Sequence, residues 1–245
     1  MLTQMNSYQQ NKKLKISVEN VSKDYDGSEI LHDIYLKVYE GEFISILGPS
    51  GCGKSTIFNM ITNLTSCDAG NISVDGEYSY MYQKDLLLPY KNIIDNVSLP
   101  LILKKEKKSI ARDKVKPYFD TFGISGYEYK YPNELSGGMK QRANFLRTYI
   151  NSDDIMLLDE PFGSLDSITR NSMQKWLLNI KDKVNSTIVL ITHDIDEAMM
   201  LSNRIYVISD KPSTVKKEFI IDKEIYNEKN LEKIADLRKG ILNLL

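Results

Sequence analysis

EFISILGPSGCGKSTIFNMITNL, residues 42–64, opens as a near-continuous apolar run, passes through a glycine-rich turn and ends with helical spacing. An apolar run of this kind suits a strand covered on both faces, and its passage straight into a helix is the building unit of a parallel sheet. Within it GPSGCGKS, residues 48–55, fits the pattern GxxxxGK[ST], with the strand before and the helix after that give the pattern its meaning. Gly48, Gly51 and Gly53 let the backbone curl through Pro49, Ser50 and Cys52 so that successive N–H groups converge on phosphate oxygens. The helix that follows offers its positive end to the same anion. Lys54 then neutralises charge on the outer phosphates of a nucleotide, the Ser55 hydroxyl suits Mg²⁺, and the Thr56 hydroxyl donates to a phosphate.

The rest of the chain repeats this alternation. Strands are expected at residues 15–19, 42–47, 155–158, 187–191 and 204–208, with EFISIL, IMLL and TIVLI as sheet-centre candidates. ISVENVSKDY, IYLKV and NISVDG mix apolar and polar positions at period two and read as an antiparallel flank exposed on one side. Between about residues 85 and 150 helical spacing takes over, which implies a helical subdomain inserted in an α/β core, broken or kinked at Pro117. A short strand and a final amphipathic helix are expected over 211–245. The organisation is therefore a polar, poorly ordered lead-in over 1–13 and a single domain over 14–245.

Composition sets the outer limits. The 245 residues are 42% hydrophobic and 27% charged, which fits one packed domain and is too apolar for a disordered chain. A net charge of −1 provides no global field for nucleic acid or an anionic membrane, so any anionic ligand must be held locally. Cys52 and Cys67 have neither metal-ligand spacing nor the density of a secreted disulfide scaffold, which favours a reducing compartment. No apolar run reaches the roughly 18–20 residues that span a bilayer, and the N-terminal residues lack the apolar core of a signal peptide. The charge run KKEKK, residues 104–108, reads as a solvated helix start.

Two further stretches carry chemistry. IMLLDE, residues 155–160, places Asp159 and Glu160 at the end of a buried strand, where Asp159 would hold Mg²⁺ through water and Glu160 would orient and deprotonate an attacking water. LSGGMKQR, residues 135–142, opens a helix with Ser136, Gly137 and Gly138, a second grip offering N–H groups and a hydroxyl to phosphate.

With these three motifs in this order, residues 16–210 resemble the ATP-binding cassette (ABC) of ABC transporters. The resemblance implies a P-loop NTPase of mainly parallel core sheet with an antiparallel β flank and an inserted helical subdomain, and an ATPase that uses ATP and Mg²⁺. It implies a head-to-tail pair of copies, each ATP lying between GPSGCGKST of one and LSGGMKQR of the other. Tyr25 in KDYDG matches the aromatic that stacks on adenine, and Gln83 in MYQKD the glutamine that contacts Mg²⁺ and the attacking water. Asp166, with Ser164 and Leu165, matches the loop that crosses the dimer interface, and His193 in ITHDIDEA the histidine at the γ-phosphate. His32 matches no motif and receives a structural reading.

QKDLLLPYKNIIDNVSLPL, PFGSLDSITR and THDIDEAMMLSNRIYVIS are similar to importer cassettes of the nitrate, sulfonate and taurine group, which also serve thiamine-precursor uptake. That grouping implies membrane-spanning permease subunits, indirectly an extracytoplasmic solute-binding protein, no nucleic acid, and a place at the cytoplasmic face of the membrane. An exporter-type or lipoprotein-release cassette, or a soluble cassette acting on nucleic acid or ribosomes, are the alternatives. Cys67 and Asp68 stand where Pro and Thr are common in the family.

Overall fold

Period-two patterning in the first part of the chain produces two long antiparallel strands, β1 (Leu14–Tyr25) and β2 (Ser28–Tyr39). Asp26 and Gly27 join them with φ of 53° and 80°, the pair of left-handed residues that a tight hairpin matched to strand twist requires. The structure, a computed structural model, describes residues 12–84, 86–184, 186–222 and 231–245. The lead-in expected over 1–13 therefore lies outside the described residues except for its last two. The chain divides into two compact units, Met1–Gly76 with Ser186–Leu245, and Glu77–Asn185.

In the first unit β4 (Ala69–Val74) pairs with β1 opposite β2, completing the expected antiparallel flank. The apolar run that follows Glu42 is β3 (Phe43–Leu47), buried at every position. It lies between two parallel neighbours, β7 (Thr187–Thr192) and β8 (Arg204–Ile208), and β9 (Val215–Ile220) closes on β8 antiparallel. Full burial of β3, β7 and β8 on both faces explains why they show no alternation in sequence. The helices α1 (Lys54–Ile61), α8 (Ile195–Leu201) and α9 (Leu231–Leu242) belong to this unit. Leu47, Ala198, Met199, Val207 and Ile241 share one core cluster, against which Ile234 and Leu237 of α9 pack.

Polar groups also enter this core, and they are paired. Arg204 donates to Glu42 at 2.8 Å, to Glu218 at 2.6 Å and to the carbonyl of Lys37 at 3.1 Å, tying together β2, β8, β9 and the residue before β3. The Glu42 side chain is fully buried, so removal of its partner would strand a charge at a cost of about 3–5 kcal/mol.

The second unit holds β5 (Tyr78–Met81) and β6 (Ile155–Asp159), parallel and in register from Tyr78 opposite Ile155 to Met81 opposite Leu158. Between them run α2 (Ile93–Val97), α3 (Leu99–Leu103), α4 (Lys108–Val115), α5 (Tyr118–Thr121) and α6 (Gly137–Asn151), and α7 (Ser167–Val184) follows β6. Pro117 falls between α4 and α5, so the chain breaks where the sequence predicts it. Trp176 of α7 packs against Phe145 and Phe122 at 5.4 and 5.8 Å between ring centroids. The KKEKK run is more than a helix start: Lys104 donates to the carbonyl of Asn151 at 2.9 Å, and Lys108 pairs with Asp95 at 3.0 Å.

Candidate functional site

The loop between β3 and α1 is shaped by its own backbone. The N–H of Gly48 reaches the carbonyl of Thr192 at 3.4 Å, which ties the loop's start to the end of β7, one residue before His193. Gly53 sits at φ 104°, and a Cβ there would lie 2.8 Å from Leu31 Cδ2, so both conformation and space exclude a side chain. Lys54, 4% exposed, turns its ammonium back onto the carbonyls of Gly48 at 2.8 Å and Pro49 at 2.7 Å. Gly53 caps α1 without any side-chain hydrogen bond, so the helix start is left to solvent or ligand. Ser55 is exposed and Thr56 half-buried. Burial pushes the Cys52 thiol up, against the pull of the nearby Lys54 charge.

At the end of β7 the turn carrying His193 is held from both sides. The Thr192 hydroxyl donates to Glu197 and accepts from the N–H of Asp194 at 3.0 Å, while Asp194 caps α8 by accepting from the N–H of Glu197 at 3.0 Å. His193 itself is exposed. Tyr25, at the end of β1, is 43% exposed, with the Lys23 ammonium 5.2 Å from its ring centroid. Asp68 anchors that corner, accepting from Lys23 and from the N–H of Asp24, both at 2.7 Å. The departure from the family pattern at Asp68 thus has a local use in fixing the chain just before Tyr25.

In the second unit Asp159 is the last residue of β6 and Glu160 follows it. Asp159 is 8% exposed and accepts a hydrogen bond from the Tyr80 hydroxyl at 2.9 Å, while Glu160 turns out of the strand at φ 43°. Glu160 is one of several non-glycine residues with positive φ, a conformation that costs about 1–3 kcal/mol and persists where the surrounding structure over-determines it. Gln83 Nε2 lies 3.3 Å from Glu160 Oε2, so these two predicted residues come together. Burial and the adjacent carboxylate hold the Tyr80 phenol well above its usual range, keeping it a donor.

The SGG stretch starts α6, with Ser136 as its N-cap accepting from the N–H of Met139 at 3.3 Å. Gly138 is buried, and a Cβ there would stand 3.1 Å from Thr169 Cγ2, so α6 packs tightly against α7 there. Asp166 accepts from the N–H groups of Ile168 at 3.1 Å and Thr169 at 3.0 Å, capping α7, and these bonds hold its carboxyl below the ordinary range. Sequence reasoning missed Asn96, fully buried in α2. Its side chain accepts from the N–H of Leu88 at 2.7 Å and donates to the carbonyls of Leu88, Lys91 and Asn92, pinning the segment that follows Gln83. A polar Asp95–Asn96 pair inside the otherwise apolar spacing of NIIDNV was its only trace. His32 is an exposed partner of Glu29 at 2.6 Å and has no core role.

The described residues include no helix long and apolar enough to cross a membrane. Residues 31–163 match the ABC transporter family model. The formylaminopyrimidine import ATP-binding protein ThiZ of Halalkalibacterium halodurans is 44% identical over 80% of each chain. An aliphatic sulfonates import ATP-binding protein SsuB of Bacillus cereus is 36% identical over 94% of this chain and 95% of its own. Among solved structures, the dimeric, post-hydrolysis state of the ATP-binding cassette MJ0796 bound to ADP and Pi superposes with a TM-score of 0.71 at 29% identity, covering 84% of this chain and 99% of that one. With the glycine loop, the acidic strand end and the SGG helix start all in place, this chain belongs to the ABC transporter family, as one of its ATP-hydrolysing cassettes.

Proposed function

We propose that the chain is the ATP-hydrolysing subunit of a bacterial ABC importer, energising uptake of a small solute of the sulfonate, nitrate, taurine or thiamine-precursor class through membrane partner subunits. The observation that carries this reading is the uncapped, glycine-led start of α1 with Lys54 folded over its own loop. N–H groups within residues 50–56 bind the phosphates, Lys54 moves onto the outer ones, and Tyr25 stacks on the adenine. The importer names of ThiZ and SsuB support uptake over export.

Ser55, Gln83 and Asp159 offer a hydroxyl, a carboxamide and one carboxylate, an all-oxygen set that fits Mg²⁺, which takes few protein ligands and fills its shell with water and phosphate. When bound, Mg²⁺ neutralises charge on the phosphoryl oxygens. Glu160 takes the proton of the attacking water, Gln83 orients that water, and His193 contacts the γ-phosphate. Ser136, Gly137 and Gly138 of a second copy close over the nucleotide, and Asp166 lines the seam between the copies. The pair works at the cytoplasmic face of the membrane, attached through permease subunits that are served by an extracytoplasmic solute-binding protein. The test gives the purified chain Mg²⁺, millimolar ATP and its permease, and reads oligomeric state and phosphate release. Pairing on ATP with phosphate release is expected; failure of both would overturn the reading.

A further inference from the structure

We infer that Tyr80 is a positioning residue for the divalent cation, its hydroxyl fixing the Asp159 carboxylate in the orientation that receives the metal. The inference rests on the metal role proposed above for Asp159. Tyr80 lies opposite Leu157 in the parallel register of β5 and β6, and its long side chain reaches forward along the strand to Asp159 Oδ2 at 2.9 Å. The phenol is not placed by that bond alone. Its ring is stacked on Tyr82 with centroids 4.3 Å apart and planes 22° from parallel, so the donor is held ready by packing. Gln83, the next residue, reaches Glu160 at 3.3 Å. Asp159, the last residue of β6, is thus held by Tyr80 of β5, and Glu160, just beyond β6, by Gln83, two residues past the end of β5.

A hydrogen bond to one carboxylate oxygen narrows the rotation of the group, so less rotational freedom is lost when a cation arrives. Removal of such an outer partner typically costs about 10- to 100-fold in metal affinity.

The test is Mn²⁺ binding to the full chain saturated with ATP, in a Glu160→Gln background that blocks turnover, read from the electron paramagnetic resonance signal of unbound Mn²⁺. Tyr80→Phe keeps the ring and its stack and removes only the hydroxyl. It is expected to raise the Mn²⁺ dissociation constant about tenfold while leaving metal-free ATP affinity and the melting temperature unchanged. In an Asp159→Asn background the same change is expected to do nothing further. A parent that binds no Mn²⁺ with ATP overturns the metal reading of Asp159 itself. A parent that binds, beside a Tyr80→Phe protein that binds within about twofold or more tightly, overturns the role of Tyr80 alone. A loss that persists unchanged in Asp159→Asn is structural and also overturns it, which keeps the test decisive even if Tyr80→Phe costs stability.

Discussion

Two helices in this molecule begin with glycine-rich turns, and their starts are built differently. At α1 the cap is Gly53, which offers no side-chain acceptor, and the nearest cation is turned inward onto the loop. At α6 the cap is Ser136, whose hydroxyl already accepts from Met139. The first end leaves its N–H groups without a side-chain acceptor, whereas the second satisfies part of its own need. On the reading proposed above, a single chain would carry one strong phosphate seat and one weaker lid, and the lid would act on nucleotide already seated elsewhere.

The contrast yields graded predictions. Glu160→Gln should leave ATP binding intact while lowering phosphate release by about 10²- to 10⁴-fold, separating the seat from the cutting group; near-normal turnover would remove Glu160 from its role. Lys54→Ala should weaken ATP binding by about 10- to 100-fold, since each charge-assisted bond lost is worth about 1.5–3 kcal/mol, as calorimetry on the isolated chain can measure. Ser136→Ala should barely change ATP affinity of the single chain and should destabilise α6 by about 1 kcal/mol in denaturant unfolding. Equal losses of ATP affinity from Lys54→Ala and Ser136→Ala would erase the distinction between the two ends.

The smallest effect concerns acid. The N–H of Thr169, its hydroxyl and the N–H of Ile168 favour the charged form of Asp166, so its folded pKa lies below the ordinary value of 3.8. Its contribution is therefore complete above about pH 4 and fades as pH falls through the depressed folded value. Asp166→Asn should flatten that part of the unfolding profile, and a carboxyl resonance titrating at or above 3.8 would show the cap to be unimportant.

Much of this arrangement could be read from the chain because strong patterns coincide with buried strands. EFISIL, IMLL and TIVLI become β3, β6 and β7 with only small changes at their ends. The short β5 was not anticipated: YSYM has four residues, a serine among them, and its burial comes from contacts that local periodicity does not encode. Tyr80 and Asn96 escaped for the same reason, since their partners Asp159 and Leu88 are set by tertiary placement. Asp68 looked like a mere departure from a common pattern until Lys23 and the Asp24 N–H were seen to converge on it. The roles of Tyr25 and His193 came from resemblance, and local spacing alone would not have singled out either.

The inward turn of Lys54 bears on the end of the reaction as much as on its beginning. A buried ammonium abandoned by a departing product would otherwise face a low-dielectric surrounding with nothing opposite it, and that penalty would slow departure. On the reading proposed above, the carbonyls of Gly48 and Pro49 answer that charge within the loop itself, so the hydrogen bonds that Lys54 gives up to reach a phosphate are recovered when the phosphate leaves.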